Sequence, residues 1–238
     1  MGIEWILTNT PFYVIILFFT LLALWKAGKG IAVVTAAGLS LIFLMGLWKE
    51  TMETLALIFV STITALILSI PLGILAAKSK IADKIIRPLL DLMQTMPTFV
   101  YLIPVLILFG LGIAPGLIVT IVFACPAPIR LTYLGITSVP KPMIEAGEAF
   151  GATKRQLLWK VELPAALPTI MAGLTQCIML SLSMVVIAAL IGANGLGKPV
   201  VRALNTVNIP LGLEAGLAIV ILAIILDRMS RVSTGGPQ

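Results

Sequence analysis

An all-α, polytopic membrane protein with about seven transmembrane helices is the fold class this sequence predicts, on three observations. Sixty per cent of its 238 residues are hydrophobic and only 11% are charged. A soluble core of that size cannot hide so much apolar surface. The apolar residues gather into seven blocks, approximately 5–25, 31–48, 53–77, 93–113, 116–138, 165–191 and 211–227, against the roughly 20 residues a spanning helix needs. The basic residues between the blocks divide thirteen to three across the resulting topology. The richer side is read as the cytoplasm, which leaves the N-terminus outside and the C-terminus inside.

Composition also removes whole classes of chemistry. The sequence contains no His, which excludes Ser-His-Asp triads, Cys-His dyads and histidine-ligated metal sites. Cys125 and Cys177 both lie in apolar blocks and read as small core residues rather than a disulfide or metal pair. The formal charge of +6 belongs to the membrane face and gives no argument for nucleic acid as a partner; the lipid bilayer is the implied one.

Taken in order, the first two blocks are aliphatic and aromatic with few polar residues, and they read as a lipid-facing, accessory pair over residues 1–50. The start carries Glu4 and no basic residue before Lys26, unlike a cleaved signal peptide. From Glu53 the composition changes. Thr54, Ser61, Thr62, Thr64 and Ser69 recur through the third block, the small and hydroxylated residues that helix packing in lipid uses. Just before the fourth block Arg87 and Asp91 are four apart and can pair on one helix face. Pro97 and Pro104 predict a kinked or broken helix, and broken helices in membranes line cavities. Phe99 and Tyr101 follow the break. They suit a cationic headgroup, and they equally suit an interface or core. Arg130, near the end of the fifth block, needs a partner inside a membrane, and Asp91 is the candidate, as a gate or a structural ion pair. The sixth block ends in Gly192-Ala-Asn-Gly-Leu-Gly-Lys198. This imitates a phosphate loop, but Pro199 stands where the metal-binding Ser or Thr belongs and the preceding segment reads as a membrane helix. A flexible external loop or gate is the expectation, followed by a re-entrant or surface segment over 200–210. The tail, 232–238, is polar and reads as disordered.

The most charged stretch between two apolar blocks is Glu145 to Pro164, EAGEAFGATKRQLLWKVELP. As a single helix it puts Glu145 and Glu148 in the first turns and Lys154, Arg155 and Lys160 toward the end, the order a helix dipole favours. Ala146, Gly147, Ala149, Gly151 and Ala152 give one side little bulk, so its backbone can press against a partner. Periodicity alone also allows an amphipathic helix on the membrane surface. Pro164 stops the helix or starts the next one.

The spacing of that stretch resembles E-A-A-x-x-x-G-x9-I-x-L-P, the cytoplasmic signature of permease subunits of binding-protein-dependent ABC importers, with Gly147 and Val161 as departures. Residues 90–104, 126–136, 182–197 and 218–228 add a resemblance to the glycine betaine/proline betaine branch over about 53–228. The resemblance implies a type I importer permease core of five helices (51–231) with a coupling helix at about 141–160. Its ATPase contact is implied for Glu145, Ala146, Gly147, Glu148, Ala149, Phe150, Gly151, Ala152, Leu163 and Pro164, with Gly151 where the backbone approaches the ATPase closely. The implied partners are a second copy of the permease, two ABC ATPase subunits that hold the ATP and Mg, and an extracytoplasmic substrate-binding protein. This chain then binds no cofactor and catalyses nothing. A quaternary ammonium solute keeps its charge and donates no hydrogen bond, so it requires aromatic faces or carboxylates. Met96, Phe99, Tyr101, Ser183 and Met184 are the candidate path. Choline, carnitine or trimethylamine N-oxide are alternative substrates of the same family. A passive channel or an ion-driven carrier is a further alternative, disfavoured by the scarcity of acids inside the blocks.

Overall fold

The computed structural model describes residues 2–231, and every regular element among them is helical. In order these are α1 (Gly2–Asn9), α2 (Phe12–Ala27), α3 (Lys29–Leu44), α4 (Trp48–Lys78) and α5 (Lys80–Thr95). Then come α6 (Thr98–Phe109), α7 (Ile113–Thr137), α8 (Lys141–Ala149), α9 (Lys154–Leu190), α10 (Gly197–Thr206) and α11 (Ile209–Arg231). Helices α4, α7, α9 and α11 are long and apolar enough to cross a membrane unbroken. The pairs α1–α2 and α5–α6 qualify only as bent spans, at 105° and 111°, and α3 is a shorter apolar helix. The tail expected to be disordered lies outside the described residues.

Both bends have one cause. The residue before a proline is pushed out of the helical region, and the proline itself offers no N–H. Met96 takes ψ 132° and Pro97 ψ 140°, so two extended residues separate α5 from α6. Pro11, at ψ 137°, does the same between α1 and α2. The blocks 5–25 and 93–113 are therefore not continuous helices. The first span is half of a bent pair. In the second case an amphipathic helix, α5, begins well before the apolar block and turns into a short α6 of roughly 18 Å, too short to cross about 30 Å alone.

Small residues set the central packing of α4, α7 and α9. A Cβ on Gly73 of α4 would stand 2.6 Å from Thr132 and 2.8 Å from the carbonyl of Ile129. Gly173 of α9 lies against Pro128 in the same way. Hydroxyls reinforce these contacts: Ser69 donates to the carbonyl of Cys125 at 3.0 Å, and Thr62 and Ser181 meet at 3.5 Å. Cys125 and Cys177 are buried free thiols.

The first two blocks are more than a lipid-facing addition. Ile15, Phe19, Leu39 and Ile42 share one buried cluster with Met52, Leu55, Leu222 and Ile225. Gly38 of α3 would bring a Cβ to 2.6 Å from Ile221 of α11. The opposite faces of α2 and α3, with Leu17, Phe18, Val33 and Leu44, are exposed.

Helix α9 has 37 residues, about 55 Å at 1.5 Å per residue, against about 30 Å of hydrocarbon. Its charged first turns therefore project past the membrane, and α8 packs on that projection.

Candidate functional site

Residues 145–164 do not form one helix. Helix α8 ends at Ala149 with Phe150 as its cap, and Gly151 takes φ +74°. The Gly151 N–H bonds to the carbonyl of Glu148 at 2.8 Å and that of Ala152 to Gly147 at 3.1 Å. This is a Schellman closure, whose left-handed position glycine fills without strain. A Cβ on Gly151 would meet nothing within 4 Å of this chain, so the backbone conformation accounts for the glycine here. Glu145 lies mid-helix, while Lys154 and Arg155 occupy the first turn of α9, where the helix dipole disfavours them. A capping box offsets that: Thr153 N–H donates to Gln156 Oε1 at 2.8 Å, and Gln156 N–H donates to Thr153 Oγ1.

Within this chain the close approach is made by Gly147. Its Cβ would come within 2.8 Å of Leu157 and 3.5 Å of Val161, so α8 lies directly on the start of α9. That start contains a π turn over Leu158–Glu162, with the Leu163 N–H reaching back to the carbonyl of Leu158. Pro164 follows and neither stops nor starts a helix; the wide turn gives its ring room and the helix runs through it. Inside this turn the buried carboxylate of Glu162 pairs with Lys78 at the end of α4. The α8 platform is thus fixed to α4 as well as to α9. The sequence reading missed this pair, although the signal was there: Glu162 is the last charged residue before the longest apolar block.

What α8 presents outward is equally specific. Glu145, Ala146, Glu148 and Ala149 are exposed, Gly147 and Ala152 half-buried, and Leu163 and Pro164 sit on α9 behind them. Phe150, at 93% exposure, is the most exposed large apolar side chain among the described residues. A rigid aromatic at the tip of a capped helix, rimmed by charge, has the form of an interface anchor.

A second cluster lies between α5 and α7. Arg130 pairs with Asp91. Arg87 turns to Asp83 at 3.0 Å rather than to Asp91, bonds the Tyr133 hydroxyl at 3.0 Å and lies over its ring. Asp83 and Asp91 are each four residues from Arg87, and Arg130 takes the second of them. These groups line a cavity of about 350 Å³.

The candidate path residues do not assemble into one surface. Tyr101 is buried, donates its hydroxyl to the Met93 carbonyl and meets Phe123 edge-on at 6.0 Å. Met184 is buried in the same cluster and Met96 packs against it. Phe99 points away at 60% exposure, and Ser183 is exposed, bonded to its own helix at Met179. Tyr101 and Met184 therefore hold the α5–α6 bend, because the turn from helix to extended to 3-10 geometry puts Phe99 and Tyr101 on opposite sides.

The Gly192–Lys198 loop is packed, not flexible. Ala193 and Leu196 are fully buried. Thr54 Oγ1 accepts the Leu196 N–H at 2.8 Å, and a Cβ on Gly197 would stand 2.3 Å from the carbonyl of Val185. It pins α10, a surface helix, to the first turns of α4.

A bundle of spanning helices joined by close glycine contacts, with a short exposed helix riding on a projecting span, defines a type I ABC importer permease fold. A subunit of the methionine transporter MetNI, solved in inward-facing conformations, matches it with a TM-score of 0.69 at 24% identity, covering 78% of this chain and 94% of that one. The chain belongs to the family of binding-protein-dependent transport system inner membrane components, whose family model matches residues 69–233. That family consists of inner-membrane components of transport systems, and the chain carries several helices long and apolar enough to cross a membrane. It is 50% identical over 97% of its length to the glycine betaine/proline betaine transport system permease protein ProW of Escherichia coli, and spans 65% of that protein. It is 48% identical over 93% of its length to the glycine betaine permease OpuAB of Bacillus subtilis, spanning 78% of it. It is also 43% identical over 86% of its length to the trimethylamine N-oxide permease TmoV of Pelagibacter ubique, spanning 28% of it.

Proposed function

We propose that this chain is the transmembrane permease subunit of an ATP-driven importer for a quaternary ammonium osmolyte of the glycine betaine and proline betaine class. The observation that carries the coupling half of this reading is α8. It is short, closed at its C-terminus by the Gly151 turn, exposed on its outer face, tipped by Phe150 and braced against α9 by Gly147 and against α4 through Glu162 and Lys78. A partner that pushes on it moves two spanning helices together. The permease acts as a homodimer. A separate ATPase subunit, holding ATP and Mg, docks on each α8, and an extracytoplasmic binding protein delivers the solute. Closure of the ATPases draws the two α8 platforms together and opens the pore outward, and hydrolysis resets it, by rigid-body alternating access.

The substrate half rests on the solutes for which the relatives are named. Those relatives include trimethylamine N-oxide and carnitine permeases, so competition is the decisive measurement. In liposomes holding the reconstituted complex, radiolabelled glycine betaine should accumulate with ATP. Excess proline betaine should block that uptake more strongly than choline, carnitine or trimethylamine N-oxide. Preference for one of the last three reassigns the substrate, and uptake without any ATPase subunit returns the chain to the channel or carrier class.

The end of the bundle with α8 is assigned to the cytoplasm and the end with α10 to the outside, which places the N-terminus out and the C-terminus in. Residues 51–231 form the permease core and 1–50 an N-terminal pair. Single cysteines at positions 80, 155 and 198, in a background without Cys125 and Cys177, test the orientation. An impermeant thiol reagent on intact cells should label position 198 alone.

A further inference from the structure

The three basic residues that the topology leaves on the sparse side converge. Lys49 sits in the first turn of α4, and Lys198 and Arg202 are one turn apart on α10. All three line one cavity of about 250 Å³, together with Glu50, Glu53, Asn194 and Pro199. None of the ion pairs among the described residues uses any of these five charges. Lys198 bonds the amide oxygen of Asn194 at 2.5 Å. At the other end of the bundle Lys78, Arg87, Arg130 and Arg231 have carboxylate partners; here acids and bases border the same space without pairing.

Positions on the two helices explain how the charges share a face. Lys49 and Glu53 are four apart, and so are Lys198 and Arg202. The buried Gly192–Gly197 loop fixes α10 against α4 through Thr54 and Leu196, so the cavity is preformed. All the outer cations stand here, exposed at the end of an apolar span, beside two carboxylates. The arrangement keeps both signs around a common space.

We propose that this cavity is a receiving site for a small zwitterion, entered from the side of α10. The site deepens the substrate reading above and rests on it. Glu50 and Glu53 face the quaternary ammonium, which can only be recognised by negative charge or aromatic faces, and no aromatic residue lines this cavity. Arg202, with its planar fork, and Lys49 take the carboxylate. Lys198, already held by Asn194, supplies a fixed second charge. The net charge of the lining is one positive, which suits a ligand whose carboxylate enters first. The cavity exceeds the volume of glycine betaine and leaves room for the waters that complete its shell.

The test is equilibrium binding of radiolabelled glycine betaine to the permease–ATPase complex in nanodiscs, without binding protein, both nucleotide-free and with a non-hydrolysable ATP analogue. The unmodified complex should bind in at least one state. Arg202→Gln and Lys49→Gln should each weaken binding at least tenfold, as loss of a charge-assisted hydrogen bond does. Arg228→Gln, at the other end, should leave it unchanged. Because Glu53 borders buried helix contacts, Glu50→Gln serves as the acid-side variant, with the same expected loss. No binding in either state, or equal affinity in all variants, overturns the site. So does a pattern in which the variants keep glycine betaine binding but lose capture of the binding protein, which makes the cavity a protein dock. Uptake by the unmodified complex is measured in parallel. Binding without any uptake sinks the transport reading and leaves the zwitterion site standing.

Discussion

The two ends of the helix bundle each use glycine in two ways. At the α8 end Gly151 serves conformation, at φ +74° with no atom near its missing Cβ, while Gly147 serves contact with α9. At the α10 end Gly197 serves contact, leaving only 2.3 Å between a would-be Cβ and the carbonyl of Val185, while Gly192 and Gly195 sit at positive φ. Charge differs as well. At the α8 end Glu162, Asp83 and Asp91 each pair with a cation, and Glu162 is buried, while at the α10 end five charges of both signs surround a cavity without pairing. The lesson is mechanical. One end is stiffened internally beneath an exposed helix tip. The other is closed tightly on itself except where it opens to a small cavity.

The sharpest break of this comparison is Lys78→Met. It strands the Glu162 carboxylate in an apolar setting, and removing one partner of a buried pair costs about 3–5 kcal/mol. Lys78 is 40% exposed, so the lower end applies. Chemical denaturation in detergent should show the loss, and Lys78→Met combined with Glu162→Leu should recover most of it. If the single variant is as stable as the parent, the brace between α4 and the α8 platform does not exist.

Phe150→Ala comes next and separates shape from stability. The side chain touches almost nothing in this chain, so the melting temperature should hold. Affinity for the ATPase subunit should fall by at least about 2 kcal/mol, the scale of an aromatic anchor. Titration of the ATPase onto permease in nanodiscs measures it, and unchanged affinity removes Phe150 from the interface.

The glycines then test the two uses directly. Gly197→Ala must displace backbone and should cost about 1–3 kcal/mol, as overpacking does. Gly151→Ala meets no clash and should cost only the left-handed backbone term, about 1 kcal/mol. Reversal of that order in thermal unfolding contradicts the assignment of contact to Gly197 and conformation to Gly151.

The smallest effect is a gain. Val207 caps α10 at φ 53°, the only positive-φ non-glycine among the described residues, and it is exposed. Val207→Gly should stabilise by about 1 kcal/mol. A loss would mean that the valine makes a contact worth more than its strain.

How much of this was legible beforehand depended on range. Residues 145–164 announced a glycine requirement at Gly151, but a helical reading hid its reason. The dipole order looked correct across one helix and is reversed across two. Pro97 announced a break. Its direction was not legible, because the bend angle depends on what α5 packs against, and so Tyr101 went into the core while Phe99 did not. The Asp91–Arg130 contact was foreseeable as the nearest acid for a membrane arginine. Lys78 and Glu162 are 84 positions apart, and no local pattern joins them.

By itself the sequence determined that this chain is helical, crosses a membrane several times and collects its cations on one side. Those facts follow from transfer free energies and charge asymmetry, which are additive along a chain. Only the tertiary structure decided which glycines are contacts, which charges are paired and which aromatic faces outward. Each of those depends on the distance between helices far apart in sequence, and close packing fixes such distances to tenths of an ångström.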